Sequence, residues 1–532
     1  MNAIGDRGGS AFITSMVLGC VLCFIVGSYL FLVSTSAKMV TRQNDFTRAF
    51  YLAEAGAERG KGWLSVEVQS RTGYYYQSET IEAEDILGAS FVNLGERGTY
   101  TVHIDPDPDN FVTPQLPLYT IVATGTYDPD GVAGSGDEIS RSITVNSQVA
   151  SFARYAYFSD YEPSNIWFFD HDLIRGPLHS NSKLKIAYDP HFEGYVTSTS
   201  DYFRFYNYGS SFDSTQGSNP PRDEPIFEEG YSLGFHHIAY PDDVSDIEAA
   251  AHDGGLAIDD DTAITLNGDG SLTYGIYHPA SYEYESHRHR HGGWGDRYHH
   301  GGTYHYYRHT HTHTHQVLVE EEWWEYVDVE LSDLNGAVHV DGDVDVSGTL
   351  SGQLTIAAEG DIHIVDDVLY STNPVDYDGD GLVNDGNNNG INDPAHGNAP
   401  ADDTDDDNDG IPDDEDTPVP LGDDKLGLVA EGNVIVDDDG EYERVDRTIC
   451  ATIMALDTSF YVEDYRDHVE GELTIIGGLI QAQRGAVGTF SGDNKTGGFS
   501  KNYIYDHRCT TAAPPWFPPT GLMDVIFWHE HP

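Results

Sequence analysis

The stretch "AFYLAEAGAERG", residues 49–60, decides the fold. It has helical spacing and no proline. Shortly before it stands "AFITSMVLGCVLCFIVGSYLFLV", residues 11–33, a run that no charge interrupts. As a helix that run reaches about 35 Å, enough for a hydrocarbon core of about 30 Å. A secretory signal has a shorter apolar core and an A-x-A-like cleavage site; here the run is long and "STSAKMVTRQ" follows, so the span is expected to stay. No proline breaks the chain between Ser10 and Gly56, and the glycines of the span are tolerated in membrane helices. Met39, Phe46, Phe50, Ala53 and Ala57 follow one another at helical steps, on one face. The spacing predicts one helix of about 50 residues, about 75 Å long, apolar all round in its first half and two-faced in its second. A simple anchor does not need the second half. A subunit that packs its apolar half against copies of itself and carries a head on the rest does.

The leader "MNAIGDRGG" carries Arg7 and ends in Gly8 and Gly9. With the run 11–33 and the stretch 49–60, it resembles the type IV pilin-like proteins, in particular the PilX-type minor pilins. That resemblance implies cleavage after Gly9 by a prepilin peptidase, leaving Ser10 first, with Gly8 as the alternative site. It implies a single N-terminal span in the inner membrane before assembly, other pilin-like subunits as partners through the helix, and a surface pilus or periplasmic pseudopilus afterwards. Major pilins carry Glu at the fifth mature position; this chain has Thr14 there, or Ile13 for the alternative cut, which fits a minor or pseudopilin-like subunit.

Past Gly60 the pattern changes. "GTYTVHI" (98–104), "LYTIVATGTY" (118–127) and "ISRSITVNSQV" (139–149) alternate apolar and polar residues between turn formers. They predict a three-strand antiparallel meander with one face over the helix. The expected fold class is therefore an α+β pilin-like module followed by a mainly-β domain. The leader covers 1–9, the helix 10–62, the meander 63–149 and the β domain 150–532. Within the last, "AEGDIHI" (358–364) matches "AEGNVIV" (430–436), and "GQLTIAAEG" (352–360) echoes "GELTIIGG" (471–478). Short strands closed by Gly, Asp or Ser suggest a β-helix or related solenoid, with Val338, Val340, Val344, Val346, Leu350, Leu354 and Ile356 inward. A β-sandwich is the alternative. "GPLHSN" (176–181) resembles a stretch of large proteins with PilX-like N-termini and β-rich C-termini. His179, Ser180 and Asn181 read as a turn whose side chains cap backbone groups rather than as a catalytic set. The tail "TAAPPWFPPTGLMDVIFWHEHP" is expected to cover the solenoid's end.

Lys and Arg number 27 against 89 Asp and Glu, a formal charge of −62 over 532 residues. Phosphate binding needs clustered Lys/Arg, so nucleic acid is excluded as a partner and anionic lipid surfaces are disfavoured. The charge favours cations and an exported setting. Of four cysteines, Cys20 and Cys23 lie in the apolar run; Cys450 and Cys509 lie in the exported part and could pair.

Two insertions interrupt the repeats. In 371–420, "DDDNDGIPDDED" places Asp405, Asp407 and Asp409 at alternating positions, then Gly410, Asp413 at position nine and Asp416 at position twelve. Calcium takes six to eight hard oxygens; Gly permits the sharp turn and Ile411 can offer its carbonyl. Asp376, Asp378 and Asp380 begin a second such loop, and Asp385, Asn387, Asn389 and Asp393 a third. Flanking prolines argue against EF-hand helices, and the array resembles thrombospondin type 3 calcium repeats. The second insertion, 278–315, concentrates histidine. In a strand His309, His311, His313 and His315 would share a face and could hold Zn²⁺, Ni²⁺ or Cu²⁺; the alternative is a solvated hairpin tip.

Three functions remain open on these residues. One is a non-enzymatic pilin-like subunit with a calcium-stabilised surface head, acting in assembly, adhesion to a surface ligand or glycan, or secretion. The second is an anchored β-helix enzyme acting on polysaccharide. The third is a metal-capture surface protein.

Overall fold

A computed structural model describes residues 8–70, 98–106, 118–131, 137–170, 172–207, 210–241, 243–278, 281–290, 298–300, 303–305, 310–320, 323–372, 422–437, 445–491, 494–510 and 512–531. A long N-terminal helix is followed by a mostly-β chain in two compact units. One comprises Met1–Ala150 with Gly521–Pro532, the other Ser151–Thr520.

In the first unit, helix α1 (Gly8–Ser70) runs unbroken for 63 residues. Residues 12–34 are exposed all round, and the helix is long and apolar enough to cross a membrane. Further on, Asp45, Ala49, Leu52, Ala53, Gly56, Ala57, Gly60 and Leu64 are buried. Ala53 and Ala57 face inward as expected, but Met39 is 68 % exposed and Phe46 and Phe50 are only half-buried. The buried face is rotated towards the small residues, because the sheet comes too close for large ones. A Cβ on Gly60 would lie 2.8 Å from Val102 Cγ1, and one on Gly125 would lie 2.1 Å from the Ala49 carbonyl oxygen. The stretch 49–60 therefore reads as a small-residue stripe, A-x₃-A-x₂-G-A-x₂-G, against which a sheet is pressed.

That sheet holds strands β1 (Gly98–Pro106), β2 (Leu118–Tyr127) and β3 (Ile139–Ser151), antiparallel in sequence order. Val102 stands opposite Ala123, and Ile121 opposite Val145, all buried. The fourth strand is Pro519–His531, beside β3. This corrects the expectation for the tail. Only its first part, with Trp516 and Phe517 buried, belongs to the second unit; the rest rejoins the first sheet. There Ser147 Oγ donates to the Asp524 carbonyl at 2.8 Å, and the Trp528 ring meets Phe50 edge-on at 5.9 Å.

The second unit is built on parallel ladders. The first, in spatial order, runs Leu256–Ile258, Ala337–Val340, Gln353–Ala358, Lys425–Ala430, 452–455, 477–481, Tyr157–Tyr161, Leu178–Ser180, Val196–Ser198, Tyr231–Leu233. The second passes Thr262–Asn267, Val344–Leu350, Ile362–Tyr370, 447–449, 473–475, 501–503, Leu173–Arg175, His191–Phe192 and Ile226–Phe227. The stacking order is not the chain order. The chain enters at a middle tier, 157, and builds outward to 231. It then crosses back along 235–255 and builds from 256 towards the middle, where 479–483 pairs with 157–161. All seven residues expected inward are at most 1 % exposed.

The repeat at 358 and 430 is a residue-for-residue stack: Ala358 pairs with Ala430, Ile362 with Val434 and Ile364 with Val436. The weaker echo is not, since Leu354 pairs with Leu426 in one ladder and Leu473 with Arg447 in the other. The Gly-Asp/Asn within the repeat has its own reason. Asp261 Oδ1 accepts the Asp343 N–H (2.9 Å), Asp343 Oδ1 that of Asp361 (2.7 Å), and Asp361 Oδ1 that of Asn433 (2.6 Å). A Cβ on Gly342, Gly360 or Gly432 would come within 2.2 Å of those carboxylates. Two exposed charges one strand spacing apart repel by about 1 kcal/mol in water. A hydrogen bond to a charged acceptor contributes about 1.5–3 kcal/mol, so the acidic column is net stabilising, and Asn433 closes it without a further charge.

Candidate functional site

The crossing segment meets the tier at 178–181 through a polar junction. His179 is fully buried, with Nδ1 2.8 Å from Thr197 Oγ1 and Nε2 3.0 Å from Asn181 Oδ1. Asn181 grips the backbone of Ile238 from both sides: Oδ1 accepts its N–H (2.9 Å) and Nδ2 donates to its carbonyl (2.6 Å). Nδ2 also donates to Asp160 Oδ1 at 2.8 Å. The Phe158 ring stacks on His179 at 5.3 Å and on Tyr240 at 5.8 Å. Neither imidazole nitrogen is open to a substrate, and the side chains of "GPLHSN" hold backbone. Burial pushes the His179 pKa down to about 4, against its hydrogen bond to Asn181 Oδ1 and with the charges of His236 and His237.

On another side of the same unit lies a cleft of about 330 Å³, walled by Trp167, Phe169, Tyr206 and Phe490 with Arg466 and Lys501 at its polar edge. Phe169 and Phe490 stack at 4.1 Å. Lys501 Nζ donates to Asp172 Oδ2 at 2.6 Å, and Asp172 Oδ2 also accepts the Phe169 N–H at 2.9 Å, fixing that wall. Beneath it Arg484, 2 % exposed in its side chain, lies 3.7 Å over the Phe168 ring. Arg484 donates to Glu162 Oε2 (3.3 Å) and the Trp167 carbonyl (3.1 Å), while Glu162 Oε1 accepts from Tyr157 (3.0 Å) and Ser159 (2.7 Å). Lys185 Nζ donates to the Glu162 carbonyl, and burial, opposed by the Glu162 charge, lowers its pKa to about 8. A buried pair so fully hydrogen-bonded fixes a unique arrangement. It rigidifies the aromatic wall, which can stack a flat or ring-shaped ligand. No motif marks this cleft: its residues come from 165–206 and 465–501, distant in sequence and joined only by the out-of-order stacking.

The sites read from the sequence fall as follows. Gly9 and Ser10 are in the first turns of α1. Asp376, Asp378, Asp380, Asp385, Asn387, Asn389, Asp393, Asp405, Asp407, Asp409, Ile411, Asp413 and Asp416 lie outside the described residues, as does His309. The histidine-rich insertion is carried on a hairpin. Ser271–His278 pairs antiparallel with Trp323–Glu330, and Ser281–Arg290 with Thr310–Glu320. That register sets His311 opposite His289, His313 opposite His287 and His315 opposite Glu285. Cys450 and Cys509, which the sequence left free to pair or not, are both buried free thiols, each pushed up to about 12 by burial. Cys450 sits in a ladder strand opposite Ile476, and the Cys509 Sγ lies 3.9 Å from Thr452 Oγ1, so each has a packing role.

A family described as a domain of unknown function (DUF4900) matches residues 118–200, from β2 through the tier that contains His179 to the next one, Val196–Ser198. No curated protein matches the chain. Among solved structures it is similar to the competence-associated pilin ComZ from Thermus thermophilus, at 13 % identity over 92 % of this chain and 97 % of that one, with a TM-score of 0.26. That score establishes no common fold, and the functional reading rests on the helix and sheet themselves.

Because the folded state holds His179 neutral, the unfolded state binds one more proton between its ordinary pKa of 6.5 and about 4. Stability is complete above pH 6.5 and falls as the pH drops to 4, by an amount on the order of 2–3 kcal/mol. Urea unfolding of the wild type against His179→Gln is expected to show this slope only in the wild type. Equal slopes would remove His179 as its source.

Proposed function

We propose that this protein is a non-enzymatic pilin-like subunit whose large β head is displayed from a membrane-derived assembly. The observation that carries the reading is α1: one continuous helix, apolar and exposed over 12–34, then buried along small residues against an antiparallel sheet. The exposed half suits the bilayer before assembly and other pilin-like subunits after it. In water alone such a surface would aggregate. Prepilin peptidase is the processing partner on this reading, cutting after Gly9. The pilus surface or a secretion pseudopilus is the destination. The head is read as a β-helix, supported by ladders that join alternate strands in parallel. An antiparallel sandwich would lack them. The aromatic cleft is where a surface glycan would stack.

On the same reading, the segment 371–420 carries Ca²⁺ in D-x-D-x-D-G loops, and the head is calcium-stabilised. The histidine hairpin is a candidate for Zn²⁺, Ni²⁺ or Cu²⁺.

Co-expressed with a prepilin peptidase, the mature chain is expected to begin at Ser10 and to appear in sheared filaments; a mature chain beginning beyond Val33 would overturn the proposal. Chymotrypsin should cut 371–420, at Tyr377 and Leu382, readily in chelator and slowly in calcium, and equal cutting in both would remove calcium from the account.

A further inference from the structure

The crossing segment ends in helix α2 (Ser245–His252), whose Ile247, Ala250 and Ala251 are buried. Before it, Tyr240 Oη donates to the Ala455 carbonyl (2.8 Å) and the Val244 N–H to Glu431 Oε1 (3.2 Å). After it, Asn335 Nδ2 donates to the Ala250 carbonyl (2.8 Å). The helix thus lies along the turns of successive tiers.

His339, in the strand Ala337–Val340, is 0 % exposed and makes no hydrogen bond through either ring nitrogen. The nearest charged group to Nδ1 is the Asp341 carboxylate, 3.3 Å away in a geometry that makes no hydrogen bond. Its ladder neighbours in register are Ala257 and Ala357, small residues on both sides of the ring. Leaving buried polar atoms unpaired costs about 1–3 kcal/mol, and other buried side chains of this unit, His179 and Arg484 among them, avoid it. Two carboxylates converge on the ring. Glu248 comes from α2, and Glu359 comes from the turn after Gln353–Ala358. One donor atom from each of Glu248, His339 and Glu359 lies within 4.8 Å of the others.

Two carboxylates drawn together beside a buried imidazole repel, and both ring nitrogens are left without a hydrogen bond. A divalent cation removes both costs at once. Imidazole selects against Ca²⁺ and Mg²⁺, which take oxygen ligands. One nitrogen with carboxylate oxygens suits Zn²⁺ and similar transition ions. We propose that Glu248, His339 and Glu359 bind a Zn²⁺-class ion that pins the crossing helix to the strand ladder, with Asp341 orienting the imidazole. Donors on a tetrahedral Zn²⁺ stand about 3.3–3.5 Å apart. The site closes by a swing of the two glutamates, of which Glu359 is exposed and Glu248 half-buried. It shares no residue with the histidine hairpin or the acidic insertion.

Hydrogen exchange on the full-length chain in detergent tests this locally, so that zinc taken up elsewhere does not confuse the result. Amides of 244–252 are expected to exchange about tenfold more slowly in Zn²⁺ than in EDTA. Glu248→Gln and Glu359→Gln, each made singly, should abolish that difference while amides of 425–430 stay as protected as in the wild type. Glu359 is exposed and lies outside α2, so its variant keeps the test valid if the other disturbs that helix. Exchange at 244–252 indifferent to zinc in the wild type, or zinc protection that survives both substitutions, overturns the site.

Discussion

The chain leaves its first sheet after β3 and must come back to lay a fourth strand beside it, so the two ends of the second unit have to be neighbours. They are: the Phe152 N–H donates to the Pro518 carbonyl at 3.1 Å, and Ser151 Oγ donates to the same oxygen at 3.1 Å. A stack of ten strands wound in chain order would part its ends by about 40 Å. The observed order avoids this by starting in the middle, building out, crossing back and returning. Parallel pairing makes the splice possible, since 479–483 offers 157–161 the same edge that any consecutive tier would offer. The consequence is a crossing segment with no ladder of its own. It is held by specific contacts: Asn181 on Ile238, Phe158 against Tyr240, Glu431 on Val244, Asn335 on α2.

The helix obeys a different constraint. Its first half is specified by composition alone, and its second by what the sheet permits. Alanine and glycine at 49, 53, 56, 57 and 60 let backbones approach where larger side chains would hold them apart, as Gly125 against the Ala49 carbonyl shows.

Local patterns were the legible ones. The long helix is continuous, the three strands of the meander fall where alternation put them, and Val338 to Ile356 point inward, because period and polarity fix which face is buried. The helical face was read from its large residues, Met39 and Phe46 among them, when the small ones carry the contact; hydrophobicity does not register close approach. The strand at 519–531 was misjudged because partner choice is non-local: nothing in "TGLMDVIFWHEH" says that it pairs with residues nearly 400 positions earlier. The cleft and the buried Glu162–Arg484 pair were invisible for the same reason, being assembled across the splice. His339 stands in sequence between Val338 and Val340 with nothing to mark it, and its isolation is a property of Ala257 and Ala357, which only the register brings beside it.

The out-of-order splice is the claim on which the rest stands, and paired cysteines test it most directly. Ser159 and Gln481 are buried partners in register across the junction, 322 residues apart in sequence, at the strand spacing that a disulfide can bridge. Ser159→Cys with Gln481→Cys, in the full chain under mild oxidation, should form a bridge as readily as the in-order control Ala358→Cys with Ala430→Cys, whose residues are also register partners. A bridge in the control and none across 159 and 481 would contradict the account.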